Sequence, residues 1–249
     1  MAIAGIGGLA VGSFLNLCAD RLPRNQSIVR PRSYCESCGR HIENRHLIPV
    51  ISYLWLRGRC GYCSAHIPLR SPVVELATGL SFAFLYWNYG YTVELGIALV
   101  YASLLILVSA IDVGTQLILD RVVYPGMALA LIFSLAWPGL GPARAGLGGA
   151  IGLAALLMPF LLYRRGMGLG DVKFGGLVGL MTGYPLVFVA LFLAVTTGGV
   201  VAVLLLVLRV RGRRDPVPFG PFLALAAAVT LLWGDTLWAW YTSWLSGGP

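Results

Sequence analysis

The sequence predicts an all-α polytopic membrane protein of about eight transmembrane helices, with one small soluble insert. Three observations carry this. The 249 residues are 58% hydrophobic and only 11% charged, whereas soluble domains carry about 25% charged residues. Apolar stretches near the length needed to cross a bilayer, about 20 residues, recur along most of the chain. One polar, Arg- and Pro-containing segment interrupts them and holds four of the five cysteines.

The expected spans run over 1–19, 72–89, 93–111, 121–139, 144–163, 171–183, 184–208 and 218–245. The first lacks the basic start and small-residue cleavage site of a signal peptide and is expected to be retained. The sixth, from Asp171 to Gly183, is short and Gly-rich, which suits a tilted or re-entrant segment. The chain therefore divides into a first transmembrane helix (1–19), an insert (20–71) and a membrane domain (72–249).

Charge sets the orientation, because loops on the cytoplasmic side carry the excess Lys and Arg. The insert holds Arg21, Arg24, Arg30, Arg32, Arg40, Arg45, Arg57, Arg59 and Arg70 against Asp20, Glu36 and Glu43. Placing it in the cytoplasm also puts Arg121, Arg164, Arg165, Lys173, Arg209, Arg211, Arg213 and Arg214 inside. Only Arg144 falls outside, one exception among 18 basic residues. The net charge of +8 thus reads as topology and attraction to anionic membrane lipid. No aromatic-interleaved basic surface accompanies it, so nucleic acid is not an expected partner.

Within the insert, Cys35-Glu-Ser-Cys38 and Cys60-Gly-Tyr-Cys63 have the spacing of two metal knuckles. Gly39 and Gly61 lie beside the turns and would ease them. In a reducing cytoplasm the thiols stay free for metal, and four thiolates predict a closed, structural Zn2+ site. Two disulfides are the competing reading, favoured only if the insert faced outside. Such a small insert buries too little core to fold alone, and a metal would stabilise it. Cys18 reads as a small apolar packing residue. His41, His46 and His66 read as surface or hydrogen-bonded side chains rather than extra ligands.

Ionisable residues within spans are uncommon and usually functional. Glu75, Glu94, Asp112 and Asp171 are the acids to weigh, and Asp235, late in the eighth span, is expected near an interface. Asp112 ends the third span and Asp171 begins the sixth, so the charge-derived topology brings both to the cytoplasmic edge. Two facing carboxylates can share one proton, the ionised one activating water and the protonated one donating to a carbonyl oxygen. Gly168 and Gly170, just before Asp171, would let an extended peptide backbone approach. Asp120 is the rival of Asp112, with Arg121 beside it as a pairing partner. Either aspartate could also be a structural contact or part of an ion relay.

In this order the motifs resemble those of the bacterial type IV prepilin peptidases, membrane aspartyl peptidases with a GxGD motif. Gly12-Ser-Phe-Leu-Asn16 with Arg21-Leu-Pro23 is similar to the family's opening motif. Cys35-x-x-Cys38, Ile48-Pro-Val-Ile-Ser52, Gly58-Arg-Cys60 and Cys63 resemble its cysteine domain. Pro72-Val-Val-Glu75 resembles the start of its second helix, and Pro218-Phe-Gly-Pro221-Phe its late proline motif. Asp112, and Asp171 in Gly168-Leu-Gly170-Asp171-Val-Lys173, match its two catalytic aspartates. In two places the chain departs from the pattern: Leu119 precedes Asp120 where the family has proline, and the stretch before Gly12 is short.

The resemblance implies an enzyme of the bacterial inner membrane with its active site facing the cytoplasm. It would remove the basic leader of a type IV prepilin or type II secretion pseudopilin, then N-methylate the new terminus with S-adenosylmethionine. The second activity goes with the cysteine domain. Gly168, Gly170, Lys173 and Glu75 are the candidate substrate contacts, and no residue pattern marks a methyl-donor pocket. A peptidase without methyl transfer, a proton-coupled transporter and a zinc-knuckle docking scaffold are the alternative readings.

Overall fold

A computed structural model describes residues 1–30, 32–162, 168–209 and 217–246. The described residues are helical apart from turns and two isolated antiparallel bridges. The helices are α1 (Ala2–Arg21), α2 (Ile51–Trp55), α3 (Arg70–Tyr89), α4 (Val93–Thr115), α5 (Asp120–Phe133), α6 (Gly141–Leu162), α7 (Leu169–Thr182), α8 (Val187–Val207) and α9 (Gly220–Leu245), with a 3-10 turn at Asn44–Leu47. They fall into two compact units, Met1–Ile111 and Asp112–Pro249.

Every expected span coincides with a helix. Among the described residues, only α1, α4, α6, α8 and α9 are long and apolar enough to cross a membrane, by length and composition. The expectation of eight such helices is therefore met by five. Helix α3 has the length, with 20 residues, but Arg70 and Glu75 and its polar end dilute its hydropathy. Helices α5 and α7 have 14 residues each, about 21 Å at 1.5 Å per residue, against a hydrocarbon core of about 30 Å. The span expected over 121–139 stops at Phe133, where the chain folds back with the Gly141 N–H bonded to the Ser134 carbonyl at 3.1 Å. Arg164, Arg165, Gly166, Arg211, Arg213 and Arg214 lie outside the described residues.

In the first unit, α1 packs on α3 at Gly8 and Gly12. A Cβ on Gly12 would stand 2.7 Å from the Glu75 Cα, and one on Gly8 would stand 2.8 Å from the Thr78 carbonyl oxygen. Small residues four apart let two apolar helices touch backbone to backbone, where dispersion replaces the missing hydrophobic drive. Polar contacts then tie the ends next to the insert: Asn16 Nδ2 donates to the Ser71 carbonyl at 2.8 Å, and Arg70 pairs with Asp20. Cys18 is buried among these contacts, the packing role expected of it.

In the second unit α7 is the hub. It packs against α5, α6, α8 and α9, and Phe174, Leu177, Val178 and Met181 are no more than 1% exposed. Its closest partner is α6. A Cβ on Gly152 would lie 2.2 Å from the Gly175 carbonyl oxygen, and one on Gly148 would lie 2.3 Å from that of Gly179. Helix α8 is the opposite case, with mean hydropathy 2.6 and only 17% of its most apolar stretch buried, as suits a surface meant for lipid. Trp240, Tyr241 and Trp244 stand exposed near the end of α9, the residue types that settle at a membrane–water boundary.

The α6–α7 contact should be intolerant of any side chain. Gly152→Leu is expected to lower the thermal midpoint in detergent by at least about 5 °C, whereas Gly146→Leu should change it by less than about 2 °C. The second site has nothing within 4 Å of an added Cβ, so equal effects would contradict this packing.

Candidate active site and metal centre

Two chain termini of helices build the acidic site in the second unit. Asp112 lies in the last turn of α4 and is 4% exposed. Its Oδ2 accepts the backbone N–H of Gly220 at 2.8 Å. Gly220 opens α9, and a Cβ there would come 2.7 Å from the same carboxylate oxygen. Position 220 must therefore be glycine for its N–H to reach the acid. Pro221 follows in the first turn, where its missing N–H costs no helical hydrogen bond.

Asp171 stands at the third position of α7. Its Oδ2 accepts the N–H of Gly168, the residue capping that helix, at 3.0 Å. This is the acidic half of a capping box, and it holds the carboxylate beside the helix start, where the dipole favours negative charge. Asp112 and Asp171 lie close enough for their charges to interact. The structure thus brings together the two aspartates singled out by sequence.

The glycines before Asp171 differ in what surrounds them. A Cβ on Gly170 would sit 2.8 Å from the Ile118 Cβ, whereas at Gly168 the nearest atom is Asp171 Oδ2 at 3.5 Å. Packing against Ile118 accounts for glycine at 170, while Gly168 is exposed and open to an approaching chain. Lys173 does not turn to Asp171. Its Nζ donates to both carboxylate oxygens of Asp120, at 2.7 and 2.8 Å, and lies over the Tyr124 ring. The expected Asp120–Arg121 pair is replaced by this one, and Asp120 has both oxygens occupied.

Glu75 belongs to the first unit. It is 8% exposed, and its Oε2 accepts the Val50 N–H at 2.7 Å. Val50 starts α2 with a φ of 62°, a left-handed conformation strained for a β-branched residue. Glu75 pins that turn of the insert to α3. Arg21, only 6% exposed, donates to the Ser27 carbonyl at 2.9 Å and so binds the start of the insert to α1.

The four insert thiols converge, with all sulfurs within 4.8 Å of one another. Cys35 and Cys63 have sulfurs 3.8 Å apart, too far for a disulfide at about 2.05 Å. It is the edge of a tetrahedron with zinc–sulfur bonds of about 2.3 Å. All five cysteines are free thiols. The donor set therefore fits a tetrahedral, thiophilic dication.

Two knuckles of the same pattern present these thiols. The Cys35 N–H bonds the Arg40 carbonyl at 2.9 Å, and the Cys60 N–H bonds the Ala65 carbonyl at 2.8 Å. Bridges pair Tyr34 with His41 and Arg59 with His66. The repeat was legible as Cys-x-x-Cys-Gly/Ser-x-His, a signal that the count of CxxC pairs passes over. It also corrects the role of Gly61. The left-handed position is held by Gly39 in the first knuckle and by Ser64, at φ 58°, in the second; Gly61 instead makes room for His46. His41 and His66 serve the bridges, and among the described residues the cluster contains only cysteines.

The thiols are electrically unlike. The Cys38 N–H, followed by bonds from Ser37 and neighbouring thiols, lowers Cys35 to about 7. The Ala65 N–H acts to lower Cys63, but desolvation and the hydrogen bonds it gives the other thiols outweigh it and push Cys63 up to about 11. Four crowded sulfurs cannot all become thiolates without a cation between them.

Beside this centre the first unit encloses a cavity of about 420 Å³ between the ends of α1 and α3 and the insert. Asn16 and Arg70 are among the residues that line it, and their buried atoms Oδ1 and Nε have no hydrogen-bond partner among the described residues.

Comparison with known proteins gives concordant matches. Residues 6–89 match the model of the Bacterial Peptidase A24 N-terminal domain, and residues 99–203 match the Type IV leader peptidase family. The chain is similar to a prepilin leader peptidase/N-methyltransferase of Pseudomonas aeruginosa, 34% identical with 92% of this chain and 89% of the relative covered. A Bacillus subtilis protein of the same description is 32% identical, with 97% of each covered. One from Neisseria gonorrhoeae is 31% identical over 98% of this chain and 94% of the relative. No solved structure matches the chain.

Purified protein is expected to hold zinc in stoichiometric amount by mass spectrometry, and Cys60→Ser with Cys63→Ser should abolish it. Because thiols must lose protons to bind, affinity should fall steadily as pH is lowered from about 8 to about 5. Retention of metal by the double variant would rule out the four-thiolate site.

Proposed function

The chain belongs to the type IV leader peptidase family, and on that premise we propose that it cleaves prepilin or pseudopilin leaders with Asp112 and Asp171 and then N-methylates the new terminus. The observation that carries the cleavage reading is the meeting of two carboxylates, each accepting one backbone N–H from a helix start. Those N–H groups fix both acids in place while leaving each a second oxygen for chemistry.

On this reading the two carboxylates, whose charges interact, share one proton, because like charges in one site resist double ionisation. The ionised partner takes a proton from water as that water attacks the scissile carbonyl carbon. The protonated partner donates to the carbonyl oxygen; on collapse of the tetrahedral species the first aspartic acid gives the proton taken from water to the scissile nitrogen, the other takes back the hydroxyl proton, and the amine of the mature chain leaves. The substrate's apolar segment lies in lipid, its basic leader stays at the cytoplasmic surface, and Gly168 admits the extended backbone between them. Gly170 and Lys173 support the site from behind, by packing on Ile118 and by fixing Asp120 across α5. Pairing of Asp120 with Lys173 also occupies a further acid that a proton relay would use.

We assign the site to the cytoplasmic face of the bacterial inner membrane, on the charge asymmetry of the loops. The three-part division into 1–19, 20–71 and 72–249, with crossings by the shorter helices as well, belongs to the same proposal. The four thiolates hold Zn2+ as a structural ion, which ties both knuckles together. S-adenosylmethionine, when bound, supplies an electrophilic methyl group for the new amine. The descriptions of the relatives, together with the four-thiol insert, support this second activity.

Cleavage of a prepilin by purified protein, followed by product mass, tests both. Asp112→Asn and Asp171→Asn should each slow cleavage by at least about 10²-fold, and wild type with the methyl donor should give a methyl-sized mass gain. Full activity in either variant would end the dyad assignment. Gly220→Ala should cost a comparable factor, because the added methyl displaces Asp112 from its N–H; a wild-type rate would show that this contact does not matter.

A further inference from the structure

We infer that the short helix α2 of the insert is a lipid anchor: Ile51, Leu54 and Trp55 lie among phospholipid acyl chains of the leaflet nearest the insert, with Arg57 at the headgroup phosphates. The insert then does not hang free in water between two membrane helices. One edge of it is sunk in the bilayer.

Depth is the first argument. Helix α1 is long and apolar enough to cross a membrane, and its first charges, Asp20 and Arg21, mark the boundary on the insert's side. Gly12 lies eight residues before Asp20, about 12 Å further into the apolar region at 1.5 Å per residue, and it faces the Glu75 Cα. The Glu75 side chain leans toward the start of α3, so the Val50 N–H that it accepts lies nearer the insert, yet still below Asp20. The cavity wall agrees, since Val50 and Tyr53 line it together with Ser13 and Leu17 of α1. Helices that lie in a membrane boundary sit at this depth, about 5–10 Å below the headgroups.

The surface of α2 suits that place. Ile51, Leu54 and Trp55 stand at spacings of three and four, hence on one helix face, and are 57%, 69% and 84% exposed. Ser52 points the other way, buried, with its hydroxyl on the Arg45 carbonyl at 2.9 Å. The neighbouring membrane helices expose apolar side chains at the same level, Phe14 on α1 and Val73 and Leu76 on α3, so the face of α2 falls within an apolar zone. Arg57 is exposed and has no acidic partner among the described residues, leaving its guanidinium for a phosphate.

Backbone chemistry makes the placement affordable. In lipid each N–H needs a partner from the protein. Val50 uses Glu75, Pro49 has no N–H, and Ser52, Leu54 and Leu56 bond the carbonyls of Ile48, Val50 and Ser52 at 2.9–3.0 Å. The buried carboxylate of Glu75 thus does for the start of α2 what water does for a helix in solution. A prepilin's apolar segment is the rival occupant, but it would leave the face bare between turnovers, where lipid covers it throughout.

The test uses zinc-loaded, full-length protein in vesicles of phosphatidylethanolamine and phosphatidylglycerol. A nitroxide is attached at Leu54→Cys, with Val203→Cys on the exposed apolar face of α8 as the lipid reference and labelled wild type as background. Collisions with oxygen over those with a nickel chelate should exceed the ratio for a label free in water by at least about tenfold, as at Val203→Cys. Trp55 gives a second readout without a label. Lipid brominated near the headgroup end of its chains should quench wild type more than Trp55→Phe, although seven tryptophans contribute to the emission. A water-like ratio at position 54, or equal quenching of the two proteins, overturns the anchor. A label that neither reagent reaches overturns it in favour of a protein surface covering α2. A water-like label that becomes shielded only when a prepilin is added overturns it in favour of substrate docking.

Discussion

The hydrogen bond from the Gly220 N–H to Asp112 joins two positions 108 residues apart in sequence and solves a problem set by the solvent. A carboxylate at the end of an apolar helix has little water to stabilise it, and an unpaired buried charge is among the most costly groups a protein can hold. The N-terminus of a second helix meets that need with a free backbone donor and a favourable dipole. Asp171 is treated the same way by its own helix, through the Gly168 N–H. Backbone donors can do this without adding a counter-charge, and among the described residues neither acid has an ion-pair partner. Asp120, held by Lys173, shows the alternative and is correspondingly unsuited to proton transfer.

These contacts depend on close helix packing. Helix α7 is too short to span the hydrocarbon core alone, yet it packs against four other helices. The glycines of α6 and α7 bring the two backbones together and so fix the helix that carries Asp171. In the first unit the same device joins α1 to α3 at Gly8 and Gly12. There it supports a polar junction in which Asn16 and Arg70 tie α1 to α3, while Arg21 and Glu75 attach the insert to these helices. The thiol cluster then needs only short knuckles, because the base of the insert is already anchored.

Much of this was legible before any coordinates. Apolar runs located every described α-helix except the short α2 inside the insert, and the Arg distribution led to the expectation that Asp112 and Asp171 share one edge. The CxxC spacing named the four thiols that meet. Helix length was less legible, because hydropathy reads Leu135, Ala136 and Trp137 as a continuation of α5 while turn hydrogen bonds fold them back. Partners across long stretches of sequence were not legible at all: Gly220 for Asp112, Asp120 for Lys173, Val50 for Glu75. Such pairings follow from packing, which no local pattern encodes. The glycines of the Asp171 motif were misleading as a pair, since Gly170 is small for the sake of Ile118 and only Gly168 lies open.

The central claim is that the two aspartates act as one site within one chain. Mixing purified Asp112→Asn and Asp171→Asn proteins and following prepilin cleavage tests it most directly. The account predicts no recovery of activity at any ratio, because each molecule lacks half of its carboxylate pair. Cleavage restored by mixing would contradict it, and would mean that the working acids come from different chains.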